Sequence, residues 1–218
     1  MNNTNISTDT RTLKKGDIYV ALSGKKNDGH EYIKKARELG ASLIIIDNPD
    51  YVDHDTELVG NTSDWYRYAG YTHRTQFDIP VIAIAGSNGK TTTKELLVAC
   101  LSKKFNVHST PKNENNGIGI PKTLLGITSE HSIAVIELGA NSRGEHYKLA
   151  LCTAPTHVYI TNHGKDHMEG YGDEEGVREC NSEVFEVARY GKAKAFVQNF
   201  EPTMKRDEIG RASCRERV

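Results

Sequence analysis

The 218-residue chain contains no Cys-x-x-Cys pair. Its four cysteines, Cys100, Cys152, Cys180 and Cys214, stand far apart. That argues against a disulfide framework or zinc site and for a reducing compartment, the cytoplasm. No apolar run is long enough to span a bilayer, and the polar N-terminus lacks the apolar core of a secretory leader. The expectation is a soluble protein with no membrane insertion. Neither sign of charge dominates, with 28 Lys+Arg against 29 Asp+Glu and a formal net charge of -1. There is no basic stripe interleaved with aromatics, so nucleic acid is not an expected partner. The lysine pairs 14–15, 25–26, 34–35 and 103–104 are scattered and read as solvated faces. No internal repeat is present. What remains is ordinary globular composition, 37% hydrophobic and 26% charged, enough for one large domain or two small ones.

Strand-like and helix-like runs alternate, which predicts an α/β fold with a mostly parallel sheet. A first section, residues 1–77, has strands over Asp17–Leu22 and Leu43–Ile46. Between them Glu31–Leu39 has helical spacing, with Gly40 placed to end the helix. Ser63 is the expected cap of a short helix through Tyr71, and Asn48–Asn61 reads as irregular. Asp78-Ile79-Pro80 marks a boundary. Beyond it, Val81–Ala85 is a continuous apolar run, as a strand buried on both faces should be, and Ile133–Leu138 and His157–Thr161 read as a second and a third buried strand. Ala193–Val197 is a fourth candidate. Helices are expected over 91–104, 144–151 and 174–190. The second section is taken to run over 78–206. Residues 207–218 are charged and unpatterned, resemble translated adapter sequence, and are set aside as a non-native tail. On that basis the natural chain is expected to continue.

Between the strand at 81–85 and the helix after it lies Gly86-Ser87-Asn88-Gly89-Lys90-Thr91-Thr92. Strand, glycine loop and helix form the arrangement a phosphate site needs. The glycines let backbone N–H groups turn inward, and the helix N-terminus adds partial positive charge. Lys90 would reach the β- and γ-phosphates of ATP, and the Thr91 hydroxyl would ligate Mg²⁺. The full GxxxxGK[ST] pattern wants glycine where Ile84 stands, so the match is to a shorter GxxGKT form. The plain alternative is a glycine turn with a chance lysine.

Three further features lie at the ends of buried strands or in the loops between them. Glu137 closes its strand where an acid would hold Mg²⁺ beside the loop; an ordinary strand-end carboxylate is the alternative. Thr161–His167 leaves the third strand at the sheet edge where open α/β sheets bind ligands. His163, Asp166 and His167 there are candidates for metal or phosphate, against the alternative of surface histidines. Thr110–Pro121 is a polar, turn-prone loop with three asparagines, which a solvent-exposed loop would also be.

These residues resemble the Mur ligases. The similarity is carried by AGSNGKTTTKE (85–95), TPKNENNGIGIPKTLL (110–125), AVIELGAN (134–141) and ITNHGKDHMEGYG (160–172), with STDTRTLKKGDIYVALSGKKNDGHEYI (7–33) resembling the family's uridine-nucleotide domain. The resemblance implies a nucleotide-sugar domain over 1–77 followed by an incomplete ATP-binding domain. It implies ATP and Mg²⁺ as cofactors. It also implies UDP-N-acetylmuramoyl-tripeptide and D-alanyl-D-alanine as small-molecule substrates of a monomeric ligase in peptidoglycan precursor synthesis. Lys90, Glu137 and His167 become the catalytic candidates, with Thr91 and Glu137 on one Mg²⁺ and His167 on a second. Asn113 and Asn116 would line the substrate channel. Thr10, Arg11, Asp28 and His30 would meet the nucleotide sugar.

The chain departs from the family pattern in places. Asn181 stands where the family commonly has a carbamylated lysine, Lys112 replaces a usual glycine and Glu114 a usual leucine. The family's third domain is not among these residues, so the chain alone is expected not to turn over. A non-catalytic nucleotide-binding fragment, or a divergent relative acting on another peptide or amine, is the competing expectation. A small-molecule kinase is a third, opposed by the motif at 7–33.

Overall fold

The computed structural model describes residues 5–24, 27–112, 114–162, 164 and 174–197. The chain divides into two compact units, residues 1–69 and 70–218. The division falls inside a helix, eight residues before the 77/78 boundary read from the sequence.

The first unit holds four parallel strands in sequence order: β1 (Ile6–Ser7), β2 (Ile18–Val20), β3 (Leu43–Ile46) and β4 (Thr56–Leu58). β3 is apolar throughout, and Ile44, Ile45 and Ile46 are fully buried, as a central parallel strand requires. A 3₁₀ turn (Gly29–Tyr32) leads into α1 (Ile33–Glu38). Ile33 and Ala36, three apart on one face of α1, join Leu13, Tyr19, Ala21, Ile44 and Ile46 in the core. Gly40 does end this helix. At φ 83° its N–H bonds the Arg37 carbonyl while that of Ala41 reaches Ala36, a Schellman closure that favours glycine.

α2 (Thr62–Arg74) begins one residue before Ser63, the cap expected from sequence. The capping oxygen instead belongs to Asn61, whose Oδ1 accepts the Asp64 N–H at 2.9 Å. Two neighbouring residues can both cap, and only the one just outside the first turn reaches its third amide. Asn61→Ala is therefore expected to cost about 1 kcal/mol of stability, read as a lower urea midpoint. Ser63→Ala should leave that midpoint where it is.

The second unit is built on five parallel strands in the order β6-β7-β5-β8-β9: β5 (Val81–Ala85), β6 (Val107–Ser109), β7 (Ile133–Glu137), β8 (His157–Ile160) and β9 (Lys194–Val197). The helices between them are α3 (Lys90–Leu101), α4 (Gly119–Leu125), α5 (Glu145–Thr153) and α6 (Glu174–Gly191). Val81, Ala83, Ala85, Ala134, Ile136, Val158 and Ile160 form the centre of one core with Leu124, Leu149, Ala150 and Val184 from the helices. The chain leaves β5 for β6 on one side, returns to β7, then crosses β5 to β8. That reversal opens a crevice beyond the carboxyl end of β5, where open α/β sheets take ligands. The register sets Ile84 beside Glu137 and Ala85 beside Ile160, so the residues that follow all three strands gather at that edge.

Three short strands, β1, β4 and β6, were not expected. They have two or three residues each and lie at or next to sheet edges, too short to show a periodic pattern. α3 ends at Leu101 rather than Lys104, because Lys103 and Lys104 close on Cys100 and Leu101 in tighter three-residue turns. α4 begins inside the stretch read as loop.

Candidate functional site

The turn from β5 into α3 is formed at Gly86, φ 115°, and Gly89, φ 79°. A side chain on Gly86 would collide with the Thr161 hydroxyl. β8 therefore approaches the loop from behind and holds it there. The Asn162 carbonyl takes the Ser87 N–H at 3.0 Å. Its carboxamide makes a reciprocal pair with the Asn88 backbone, accepting at 3.1 Å and donating at 3.0 Å. The Gly164 N–H donates to Ser87 Oγ at 2.9 Å. The amides of Ser87 and Asn88 are thus spent on the neighbouring loop. Among the described residues, no acceptor takes those of Gly89, Thr91 or Thr92. The N-terminus of α3 itself, where these amides and the helix dipole favour negative charge, is therefore the ground that suits an anion. Lys90 lies beside it, its ammonium resting on the carbonyls of Gly86 at 2.7 Å and Ser87 at 2.8 Å.

Glu137, at the end of β7, is buried, with 1% exposure. Its Oε1 accepts the Thr91 hydroxyl at 2.9 Å and the Asn115 carboxamide at 2.8 Å. Its backbone N–H donates to Thr110 Oγ1 at 3.0 Å. Oε2 accepts no hydrogen bond among the described residues, and Lys94 Nζ lies 3.6 Å from it. A buried carboxylate oxygen with no donor among the described residues, beside a hydroxyl in the first turn of α3, is a donor set a hard divalent cation such as Mg²⁺ fits.

The structure therefore brings together Gly86, Ser87, Asn88, Gly89, Lys90, Thr91, Thr92 and Glu137. Asn113, His163, Asp166 and His167 lie outside the described residues. Asn116 turns its Oδ1 to the N–H groups of Ile118 and Gly119, at 3.1 and 3.0 Å, at the start of α4. Its neighbour Asn115 makes the contact with the acid. Asn181 is buried on α6, two residues before Glu183. The Glu183 carboxylate accepts the N–H groups of Gly144 and Tyr147 at the head of α5, favourable ground for a negative charge.

In the first unit, Asp28 and His30 are in contact through Oδ1 and Nδ1 at 2.7 Å. Asp28 also accepts the His30 backbone N–H and the Ser23 hydroxyl. The backbone bond first, then the ring bond, holds its carboxyl below the ordinary range. His30 is 1% exposed; its Nε2 faces the Asp47 N–H at 3.3 Å and its ring lies against Tyr51. Arg11 forks onto Asp9 in the turn that contains Thr10.

Four residues in the second unit carried no assigned role in the sequence: Lys94, Asn115, Asn162 and His146. For Lys94 a signal exists. It lies four residues after Lys90 on the face of α3 that packs on the sheet, where lysine is unusual. His146 on α5 is 3% exposed and faces the Cys180 carbonyl through Nδ1 at 3.1 Å. Burial, aided by the charge of Lys90 and opposed by the Cys180 carbonyl, holds its pKa down at about 4.

Two family models match this chain. One, described as the Mur ligase middle domain, covers residues 84–216, and the other, Mur ligase family, catalytic domain, covers residues 2–112. Among curated proteins, the UDP-N-acetylmuramoyl-tripeptide–D-alanyl-D-alanine ligase of Synechocystis is 42% identical over 83% of this chain and 40% of its own length. That of Escherichia coli is 37% identical over the same shares. Among solved structures, MurF from Acinetobacter baumannii superposes with a TM-score of 0.87 at 31% identity, over 96% of this chain and 46% of that one. MurF from Thermotoga maritima, described in complex with ADP, superposes with a TM-score of 0.88 at 28% identity, over 96% and 49%. The chain thus spans about two fifths of the length of these curated relatives.

Proposed function

This chain belongs to the Mur ligase family, and from that premise we propose that it carries the ATP-binding and nucleotide-sugar-binding parts of a peptide ligase. The reaction is addition of D-alanyl-D-alanine to UDP-N-acetylmuramoyl-tripeptide in cytoplasmic peptidoglycan precursor synthesis. The observation that carries the proposal is the buried Glu137 carboxylate, held by Thr91 and Asn115 at the mouth of the α3 amide cradle.

In the proposed chemistry the terminal carboxylate of the UDP-linked peptide attacks the γ-phosphorus of ATP, and ADP leaves. The incoming amine then attacks the acyl carbon, and phosphate departs as the amide forms. Such a reaction needs alignment and charge neutralisation rather than a protein nucleophile. The Gly89, Thr91 and Thr92 amides hold the phosphate chain. Lys90 leaves its resting place on the loop carbonyls to meet the γ-phosphate. Thr91 and Glu137 would hold Mg²⁺, which supplies neutralisation of the phosphate charge. His167 is proposed to serve a second cation, with Asn113 and Asn116 along the substrate channel. In the first unit, Thr10, Arg11, Asp28 and His30 are proposed for the nucleotide sugar. The enclosure of the His30 ring suits it to orienting Asp28 more than to touching ligand.

Calorimetric titration with Mg·ADP and, separately, with UDP-N-acetylmuramoyl-tripeptide tests this reading. One site for each, filled without competition, is expected. Mutual displacement from a single site would favour a different phosphate-loop enzyme.

A further inference from the structure

Lys94 is fully buried, with 0% exposure, yet it does not belong to the phosphate cradle. A buried ammonium is unfavourable unless oxygens replace its water. Here four do. Nζ donates to the Thr110 carbonyl at 2.9 Å and the Lys112 carbonyl at 3.2 Å. It also lies 3.1 Å from Glu95 Oε1 and 3.6 Å from Glu137 Oε2. The two carbonyls flank Pro111 at the entry to the loop that carries Asn115. Lys112 has φ 41°, a left-handed conformation that non-glycine residues hold at a cost and keep only where the surroundings enforce it. Three residues on, Asn115 bonds Glu137 through its side chain and accepts the Gly139 N–H through its carbonyl at 2.7 Å. One ammonium thus links the helix of the phosphate cradle, the strained entry of the asparagine loop and the buried acid. It lies close enough to Glu137 to balance its charge, yet beyond hydrogen-bond distance of Oε2.

We propose that Lys94 is a positioning residue for the cation site: it fastens the Thr110–Lys112 backbone to α3, so that Asn115 and Thr91 converge on Oε1 of Glu137 and leave Oε2 to a divalent cation. This rests on the reading of Thr91 and Glu137 as the Mg²⁺ site.

The test is the affinity for ADP with and without Mg²⁺, taken as a ratio, in wild type, Lys94→Met, Lys94→Met with Lys112→Gly, and Asn115→Ala. Lys94→Met should lower the ratio at least about 10-fold, the usual scale of coupling between sites. Glycine adopts the left-handed conformation without help, so adding Lys112→Gly should recover much of the ratio. Restoring a fold that Lys94 merely stabilised would not act selectively on the Mg²⁺ part. The proposal is overturned if Lys94→Met lowers both affinities in proportion, if it leaves the ratio unchanged, or if Lys112→Gly gives no recovery. Should Lys94→Met fail to fold, Asn115→Ala decides: the ratio must fall there too, and a wild-type ratio refutes the linkage. A wild-type protein whose ADP affinity ignores Mg²⁺ would remove the cation reading itself, an outcome distinct from any behaviour of the variants.

Discussion

Gly86→Ala should abolish measurable nucleotide binding and destabilise the second unit by about 3 kcal/mol. Two effects add. At φ 115° an L-residue is strained, by about 1–3 kcal/mol. The new methyl would also meet the Thr161 hydroxyl, with the Thr161 N–H at 2.9 Å and the Asn162 carbonyl at 3.0 Å behind it. Overpacking of this kind costs about 1–3 kcal/mol. The backbone cannot move aside cheaply, because Asn162 and Gly164 hold Ser87 and Asn88 from the same side. A relaxed loop would therefore lose the aim of the α3 amides. Urea denaturation and ADP titration of the variant check both parts. A variant that binds ADP as wild type does would mean that the loop is not held against β8 as described.

Acidification should destabilise the second unit through His146. The sign follows from where the proton binds. Its pKa is about 4 in the folded chain against an ordinary 6.5. Between those values the unfolded chain binds more protons, so stability rises with pH. The contribution is fully present above about pH 6.5 and is lost as pH falls toward about 4, a change of about 3 kcal/mol. His146→Gln keeps a donor for the Cys180 carbonyl and does not titrate in this range. It should flatten that part of the profile. Urea midpoints at pH 7, 5 and 4 in both proteins measure it, and an equally steep profile in the variant would assign the acid sensitivity elsewhere.

The central strands of the second unit are the most legible part of the fold. β5 is apolar throughout and β7 is apolar up to Glu137, so their burial is written in consecutive residues, and the glycine loop follows β5 directly. β8 is marked less plainly, with His157 and Tyr159 half-buried. Edge elements carry no such mark: β4 is three residues with Glu57 and Leu58 exposed. The site divides the same way. Glu137 announces itself as an acid ending an apolar strand. Lys94 is marked only by its spacing of four from Lys90, because its burial depends on carbonyls 16 and 18 residues away, and a lysine is by default a surface residue. Among the asparagines of 113–116, composition marks the loop but not which side chain turns where. Asn115 reaches the acid, while Asn116 serves the first turn of α4. That choice is made by the backbone between β6 and α4, which only the folded chain specifies.

The most direct measurement is calorimetric titration of ADP, with Mg²⁺ present, into the wild-type chain and Lys90→Ala. Lys90 lies beside the α3 amides with its ammonium on loop carbonyls, so its removal should spare the fold. A charge-assisted contact to phosphate contributes about 1.5–3 kcal/mol, or roughly 10- to 100-fold in affinity. The expected result is saturable binding by wild type, weakened by about that factor in the variant, with matching thermal midpoints in the absence of nucleotide. Equal affinity in the two proteins would contradict the assignment of the loop at 86–91 as the phosphate site.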